Sequence, residues 1–352
     1  MGSSATELPA REVPAEVARS IPSPDLLFLG DTVEPGYAKT AFGLRDWAPA
    51  RCVGELALPG AGVTTGLPQL SPREAYERGA RALLIGVATR GGHVPEQWMP
   101  TLVDALGAGL DIISGMHDRL NDIAVLAHEA SRLGRRLIDV RVPPADIPIA
   151  TGRKRSGKRL LTVGTDCALG KKYTALASAR GLAARGLDVD FRATGQTGIM
   201  IAGSGIPIDA VVADFLAGAA ELLSPDAAPD HLDVIEGQGS LFHPSYAAVT
   251  LGLLHGSQPD LFVVCHDPGR THVLGLPGFA LPSIEEVVTQ TVAAGRLTNA
   301  AIRCCGVSLN TSALSDNDAA QVIAETARRT GLPVADPVRG IGLEALLDAC
   351  AA

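Results

Sequence analysis

Four short stretches hold the residues best suited to chemistry. The first is GTDCALGKK (164–172). Glycines at 164 and 170 and a lysine at 171 read as a phosphate-binding loop of the GxxxxGK type. Its backbone N–H groups face an anion while the lysine adds a mobile charge. The helix expected behind it, over 171–185, adds the positive end of its dipole. Gly164, Thr165, Asp166, Cys167, Ala168, Leu169, Gly170, Lys171 and Lys172, with Thr197 of the next loop, are the candidate cofactor-binding residues. A hydroxyl normally follows the lysine and reaches Mg²⁺. Here Lys172 stands at that position, and Thr174, two residues on, lies roughly 200° farther round the helix.

The second stretch, ATGQTGIMIAGSG (193–205), puts Gln196 and Thr197 at the tip of a glycine-rich turn. A glutamine there can hydrogen-bond an amide, a carboxylate or a γ-phosphate. The third, DVIEGQGSLFHPSY (233–246), ends an apolar run in Glu236. A strand-end carboxylate suits Mg²⁺ ligation or general-base work. His243 follows at an expected helix start, where packing, capping and catalysis are all open to it. The fourth, VVCHDPGRTHVLG (263–275), crowds His266, Asp267, Arg270 and His272 beyond another run. The planar fork of Arg270 fits a carboxylate or phosphate through two parallel hydrogen bonds. In the first half, GDTVEPGYAKTAFGLRDW (30–47) reads as a strand-end loop carrying Lys39, Thr40 and Arg45.

These residues need a scaffold that delivers several loops to one edge. Short apolar runs alternate with helix-like segments: LLFLG, CVGELAL, ALLIGVA, LDIISG and LIDVRVP, then RLLTVG, DVDFRAT, HLDVIEG, DLFVVC and AIRCCGVSLN. Such alternation specifies α/β architecture with parallel sheets covered on both faces. The stretch PPADIPIATGRKRSGKR interrupts it with prolines and a basic cluster, as a linker would. The expected organisation is a flexible tail over 1–24, a first doubly wound domain over 25–143, a linker over 144–158 and a second domain over 159–352. The opening MGSSAT also matches a myristoylation pattern, although an ordinary tail is the simpler reading.

Composition limits the partners. The 352 residues carry a net charge of −8, against the basic surface a nucleic-acid binder needs. No apolar run is long enough to span a membrane. Six cysteines without a CxxC pair fit a reduced, cytoplasmic compartment.

With AKTAFGL (38–44), SGMHDRL (114–120), GTDCALGKK, GQTGIMIAGSG (195–205), EGQGSLFHPSY (236–246) and LLHGSQPD with CHDPGR (253–270), the chain resembles the DUF1611 family. That resemblance implies a Rossmann-like N-terminal domain and a P-loop NTPase-like C-terminal domain. It also implies D-glutamate N-acetyltransferase activity, in which acetyl-CoA acetylates an amino-acid nitrogen. The C-terminal half is similar to dethiobiotin synthetase as well, which implies ATP with Mg²⁺ and closure of an amide-type bond.

Both resemblances imply acylation of the amino group of a small, acidic amino acid. In the thioester version, the loop around Lys171 grips the CoA pyrophosphate. Arg270 or Lys39 anchors the substrate carboxylate, Glu236 or His243 removes the amine proton, and N–H groups of the 195–198 turn face the oxyanion. In the ATP version Lys171 neutralises the β- and γ-phosphates, Asp166 and Glu236 hold Mg²⁺, and an amine attacks an acyl phosphate. A nucleotide-gated switch without amide chemistry is the third reading. A homo-oligomer is expected.

Overall fold

The computed structural model describes residues 21–352. The myristoylation pattern and residues 1–20 of the expected tail lie outside the described residues. At residue 21 the chain is already packed: Ile21 is buried and its N–H donates to the Gly203 carbonyl. The described chain divides into two units, one comprising residues 21–143 with 195–207 and the other 144–194 with 208–352.

The first unit is built on strands β1 (Asp25–Gly30), β2 (Cys52–Ala57), β3 (Ala82–Ile85), β4 (Asp111–Ser114) and β5 (Leu137–Asp139). They form one sheet in the order β2-β1-β3-β4-β5, with every pairing parallel. Leu26, Leu27, Phe28 and Leu29 of β1 are fully buried, because helices cover both faces and leave no polar side to alternate with. Those helices are α1 (Lys39–Trp47), α2 (Pro72–Glu77), α3 (Met99–Gly107) and α4 (Ala124–Leu133). Helix α2 starts in a capping box of Ser71 and Glu74, and α4 stops at Gly134 in the left-handed region. Residues 39–47 are thus a helix rather than the loop expected, and Lys39 is its exposed first residue.

The second unit contains β6 (Lys158–Gly164), α5 (Lys171–Ala184), β7 (Val189–Arg192), α6 (Gln196–Ala202), α7 (Leu216–Leu223), β8 (Leu232–Ile235), α8 (Ala247–Ser257) and β9 (Leu261–His266) in chain order, except that α6 belongs to the first unit. There follow β10 (His272–Val273), β11 (Leu276–Ala280), α9 (Ile284–Gly295), β12 (Arg303–Leu309), α10 (Asp316–Thr330), β13 (Val334–Ala335) and α11 (Leu343–Ala351). Six strands make a parallel sheet in the order β13-β12-β9-β6-β8-β7, while β10 and β11 form a separate antiparallel ribbon. Alternate strand residues enter different cores. Leu160, Val234 and Val263 pack with Ala175, Ala179 and Leu182 of α5 and Leu346 of α11. Leu161, Ile235 and Val264 pack with Leu254 of α8, Ile284 of α9 and Ile323 of α10.

The span 208–223 is broken: Val212 takes an extended backbone (φ −59°, ψ 137°), and only α7 is α-helical. Two elements differ from the sequence expectation. The glycine-rich turn after β7 contains α6, which packs on the first unit rather than the second. Residues 144–157 have no helix or strand but are anchored, not free. Buried Arg155 donates to the Ser224 carbonyl at 2.7 Å and the Gly256 carbonyl at 2.7 Å.

Candidate functional site

In the second sheet the chain winds outward from β6 to β8 and β7 on one side and to β9, β12 and β13 on the other. The loop after β6 therefore leaves at the point where strand order reverses, the usual ligand position in open α/β sheets. That loop is 164–171. Five residues separate Gly164 from Gly170, one more than GxxxxGK allows, so the pattern's first glycine falls on Thr165. The curl is kept by other means. Ala168 (φ 52°) and Gly170 (φ 103°) both take positive φ, and α5 begins at Lys171. Gly170 does this at no steric cost, and alternation of this kind turns successive N–H groups toward one point.

Lys171 is buried, and its ammonium donates to the Asp166 carbonyl at 2.7 Å. Burial pushes its pKa below the usual lysine range. Asp166 is the hub of the loop. Its carboxylate accepts from the Cys167 N–H at 2.6 Å, from Arg270 Nη1 at 2.8 Å and from the Leu274 N–H of the β10–β11 ribbon at 2.8 Å. Burial alone would raise its pKa, but the Leu274 and Cys167 amides and Arg270 outweigh that and hold it low. Arg270 also donates to the carbonyls of Cys167 at 2.8 Å and Ala168 at 3.4 Å. The fork expected to anchor a substrate carboxylate is spent on the loop itself. No local pattern marks this clasp, because Asp166 and Arg270 stand 104 residues apart.

Glu236 follows β8, which pairs with the loop strand β6. Its Oε2 accepts from the Thr194 N–H at 2.9 Å, and Thr194 Oγ1 donates to the Glu236 carbonyl at 2.7 Å. Gly237, next in the chain, runs so close to β6 that a Cβ there would lie 1.6 Å from the Thr162 carbonyl oxygen. His243 is buried, with its ring 4.5 Å from that of Tyr246 and its Nε2 4.0 Å from Asp166 Oδ1. Its Nδ1 accepts from the Ser245 N–H at 3.1 Å. In a neutral ring that accepts at Nδ1 the proton sits on Nε2, and the one basic lone pair is engaged by that amide. At the end of β9, His266 Nδ1 lies 3.0 Å from Thr165 Oγ1, and burial lowers the imidazole pKa. This contact links two of the four stretches.

Gln196, Thr197 and Lys39 belong to the first unit. Thr197 Oγ1 lies 2.8 Å from Thr40 Oγ1, and Gln196 Oε1 accepts from Arg141 Nη1 at 2.8 Å. Arg141 escaped the sequence reading because no motif marks it. The same unit contains a cavity of about 760 Å³ lined in part by Arg119, Arg135 and Arg136, away from Gln196, Thr197 and Lys39.

The residues at the loop do not fit Mg²⁺. Among the described residues, the metal-capable group there is Asp166, Cys167 and His243, without Glu236. Asp166 is already neutralised by Arg270, Lys172 replaces the hydroxyl ligand, and burial keeps Cys167 a thiol by raising its pKa. A ligating histidine donates from its second nitrogen, whereas His243 accepts there. Glu236, the second residue expected beside Asp166 at a metal, accepts from the Thr194 N–H instead of joining that group. A second group, Asp190, His231 and Asp233, is filled by ion pairs instead. The two nitrogens of His231 face Asp188 at 3.1 Å and Asp233 at 3.2 Å, and Arg192 bridges Asp190 and Asp233.

A parallel sheet with a lysine-bearing glycine loop at its switch point defines a P-loop unit, here joined to a doubly wound, Rossmann-like unit. Residues 148–347 match the DUF1611 C-terminal P-loop domain and residues 51–143 its N-terminal Rossmann-like domain, each described as a domain of unknown function. The chain belongs to the DUF1611 family. It is 50% identical over 332 residues to a D-glutamate N-acetyltransferase of Tritonibacter scottomollicae, covering 94% of this chain and 99% of that protein. It is 46% identical over 319 residues to a D-glutamate N-acetyltransferase of a Pseudoalteromonas species, covering 91% and 96%. The crystal structure of a DUF1611 family protein from Anabaena variabilis superposes with a TM-score of 0.80 at 34% identity, covering 92% of this chain and 98% of that one. Among the described residues no helix is long and apolar enough to cross a membrane.

Proposed function

We propose that this protein is an N-acetyltransferase that uses acetyl-CoA to acetylate the amino group of a small acidic amino acid, D-glutamate first among them. The observation that carries this reading is the 50% identity, over 94% of the chain, to a relative bearing that name. The chemistry of the loop supports it. A curl of amides with Lys171 and a helix start suits a diphosphate. The residues described around the loop suit Mg²⁺ poorly, which favours a diphosphate that travels without a metal, as that of CoA does, over Mg-ATP.

Acetyl-CoA, when bound, supplies the acetyl group as an activated thioester. The chain's part begins with Gly164–Lys171 holding the diphosphate, stiffened from behind by the Asp166–Arg270 clasp. An ammonium has no lone pair, so a base must take its proton before the nitrogen can form a bond. Glu236 has that role in this scheme, since the proton on Nε2 of His243 disqualifies the imidazole. The Thr194 N–H fixes the orientation of the Glu236 carboxylate through Oε2. His243 Nε2–H serves as a donor.

The test is incubation of the pure protein with acetyl-CoA and D-glutamate, L-glutamate, D-aspartate and D-glutamine. Release of thiol and the mass of the product are followed, with and without a chelator. N-acetyl-D-glutamate formed in the presence of chelator is the expected result. No acetylated product from any of the four overturns the proposal, and Mg²⁺-dependent release of ADP from ATP with an amine would mark the ligase instead.

A further inference from the structure

Cys305 and Cys350 lie far apart in the chain but their sulfurs are 3.6 Å apart in the second unit. Both side chains are buried, at 2% and 1% exposure. Three local features bring them together. The pairing of β12 with β9 slips between Cys304 and Gly306, so Cys305 is the extra residue of a β-bulge. Bulges re-aim a side chain out of the regular alternation. Next, the backbone at Gly306 admits α11 closely: a Cβ there would lie 2.3 Å from Leu346 Cδ1. Finally, Cys350 is four residues after Leu346 and so shares its face of α11. On the other side, α11 meets α5 at Gly181, where a Cβ would be 2.5 Å from Leu347 Cδ1.

We propose that Cys305 and Cys350 form a disulfide pair, oxidised by exchange with a small-molecule disulfide, that staples α11 to the central sheet. A bonded pair has its sulfurs about 2.05 Å apart, so closure requires the two sulfurs, now 3.6 Å apart, to move together. The outer face of α11 is held by ion pairs of Arg185 with Glu344 and Asp348, whose acids are largely exposed. Exposed pairs of this kind contribute little, so a reagent reaches Cys350 when α11 opens locally and uncovers the buried Leu346 and Leu347. The thiolate of Cys350 attacks one sulfur of the small disulfide, forming a mixed disulfide and expelling one small thiol. The thiolate of Cys305 then attacks the Cys350 sulfur and expels the second. The net change converts two protein thiols and one small disulfide into one protein disulfide and two small thiols, which balances atoms and electrons.

The unsubstituted protein is incubated with oxidised glutathione, its remaining thiols are alkylated under denaturing conditions, and it is digested without reductant for mass spectrometry. A Cys305–Cys350 cross-linked peptide is expected, together with the loss of two alkylatable thiols. The cross-link closes a loop of 45 residues, so Tm should rise by about 5–10 °C and fall back with dithiothreitol. Cys350→Ala should abolish the rise. Alkylation of both cysteines after oxidation overturns the proposal, as does a stable glutathione adduct on either without a cross-link. Both of these results are read on the unsubstituted chain and do not depend on the variant's folding.

Discussion

Arg270 Nη1 lies 2.8 Å from Asp166 Oδ2, and the same nitrogen donates to the Cys167 carbonyl. One guanidinium thus holds both the side chain and the backbone of the phosphate-type loop from outside. The loop's shape depends on a residue 104 positions away in the chain.

Removing that guanidinium leaves a buried carboxylate without its cation, a change that typically costs about 3–5 kcal/mol. Arg270→Ala is therefore expected to lower stability and to weaken acetyl-CoA binding by about 10- to 100-fold. Arg270→Lys, which keeps the charge but not the fork, should recover only part of each. Denaturant melts and calorimetric titration read the two effects separately. Unchanged affinity in Arg270→Ala would show that the loop needs no clasp.

Chelation separates the two acyl donors. With Asp166 engaged by Arg270 and Lys172 in place of a hydroxyl, the thioester scheme places no metal-bound oxygen on the path, and turnover in EDTA should stay within about twofold of the untreated rate. Lys171→Met should lose acetyl-CoA affinity by roughly 100-fold through the missing charge-assisted contact. A rate that collapses on chelation and returns with Mg²⁺ contradicts the thioester scheme.

Gly237 is fixed by contact rather than by backbone angle. The Cβ of an alanine there would press into the Thr162 carbonyl, and the Gly237 N–H bond to Thr162 Oγ1, 2.9 Å long, would break as the chain moved away. A loss of about 3 kcal/mol is expected for Gly237→Ala in denaturant melts. Because Glu236 moves with its neighbour, kcat should fall more than KM changes. A stable, fully active variant would mean that β6 and β8 can part without cost.

Asp25, at the start of β1, provides a pH dependence in the first unit. It is fully buried, and although Arg51 donates to its Oδ2 at 3.0 Å, its Oδ1 has no hydrogen-bond partner among the described residues. Burial outweighs Arg51, and the carboxyl pKa is pushed up from 3.8 to about 6. The folded chain keeps this proton to higher pH than the unfolded chain does, so stability falls as pH rises from about 4 to 6 and stays lower above. A shift of this size removes about 2 kcal/mol between pH 4 and pH 7. Asp25→Asn should flatten that part of the profile when denaturation free energies are compared across the range. An unaltered slope assigns the dependence to other groups.

The sequence by itself determined the two parallel sheets, because doubly covered strands must be continuously apolar and the helices between them must be amphipathic. It also determined where the anion loop falls, since glycines and a lysine between an apolar run and a helix are local signals. Local spacing did not settle which acid, base or fork is free to act. Arg270 and His243 both looked available in the chain. The fold spent the first on Asp166, and it fixed the proton of the second by pointing the Ser245 amide at Nδ1. Tertiary structure also moved Gln196 and Thr197 onto the first unit, where Arg141 and Thr40 receive them. Hydrogen-bond partners 55 to 157 residues away leave no periodicity for a sequence to carry, so only the packed chain decides them.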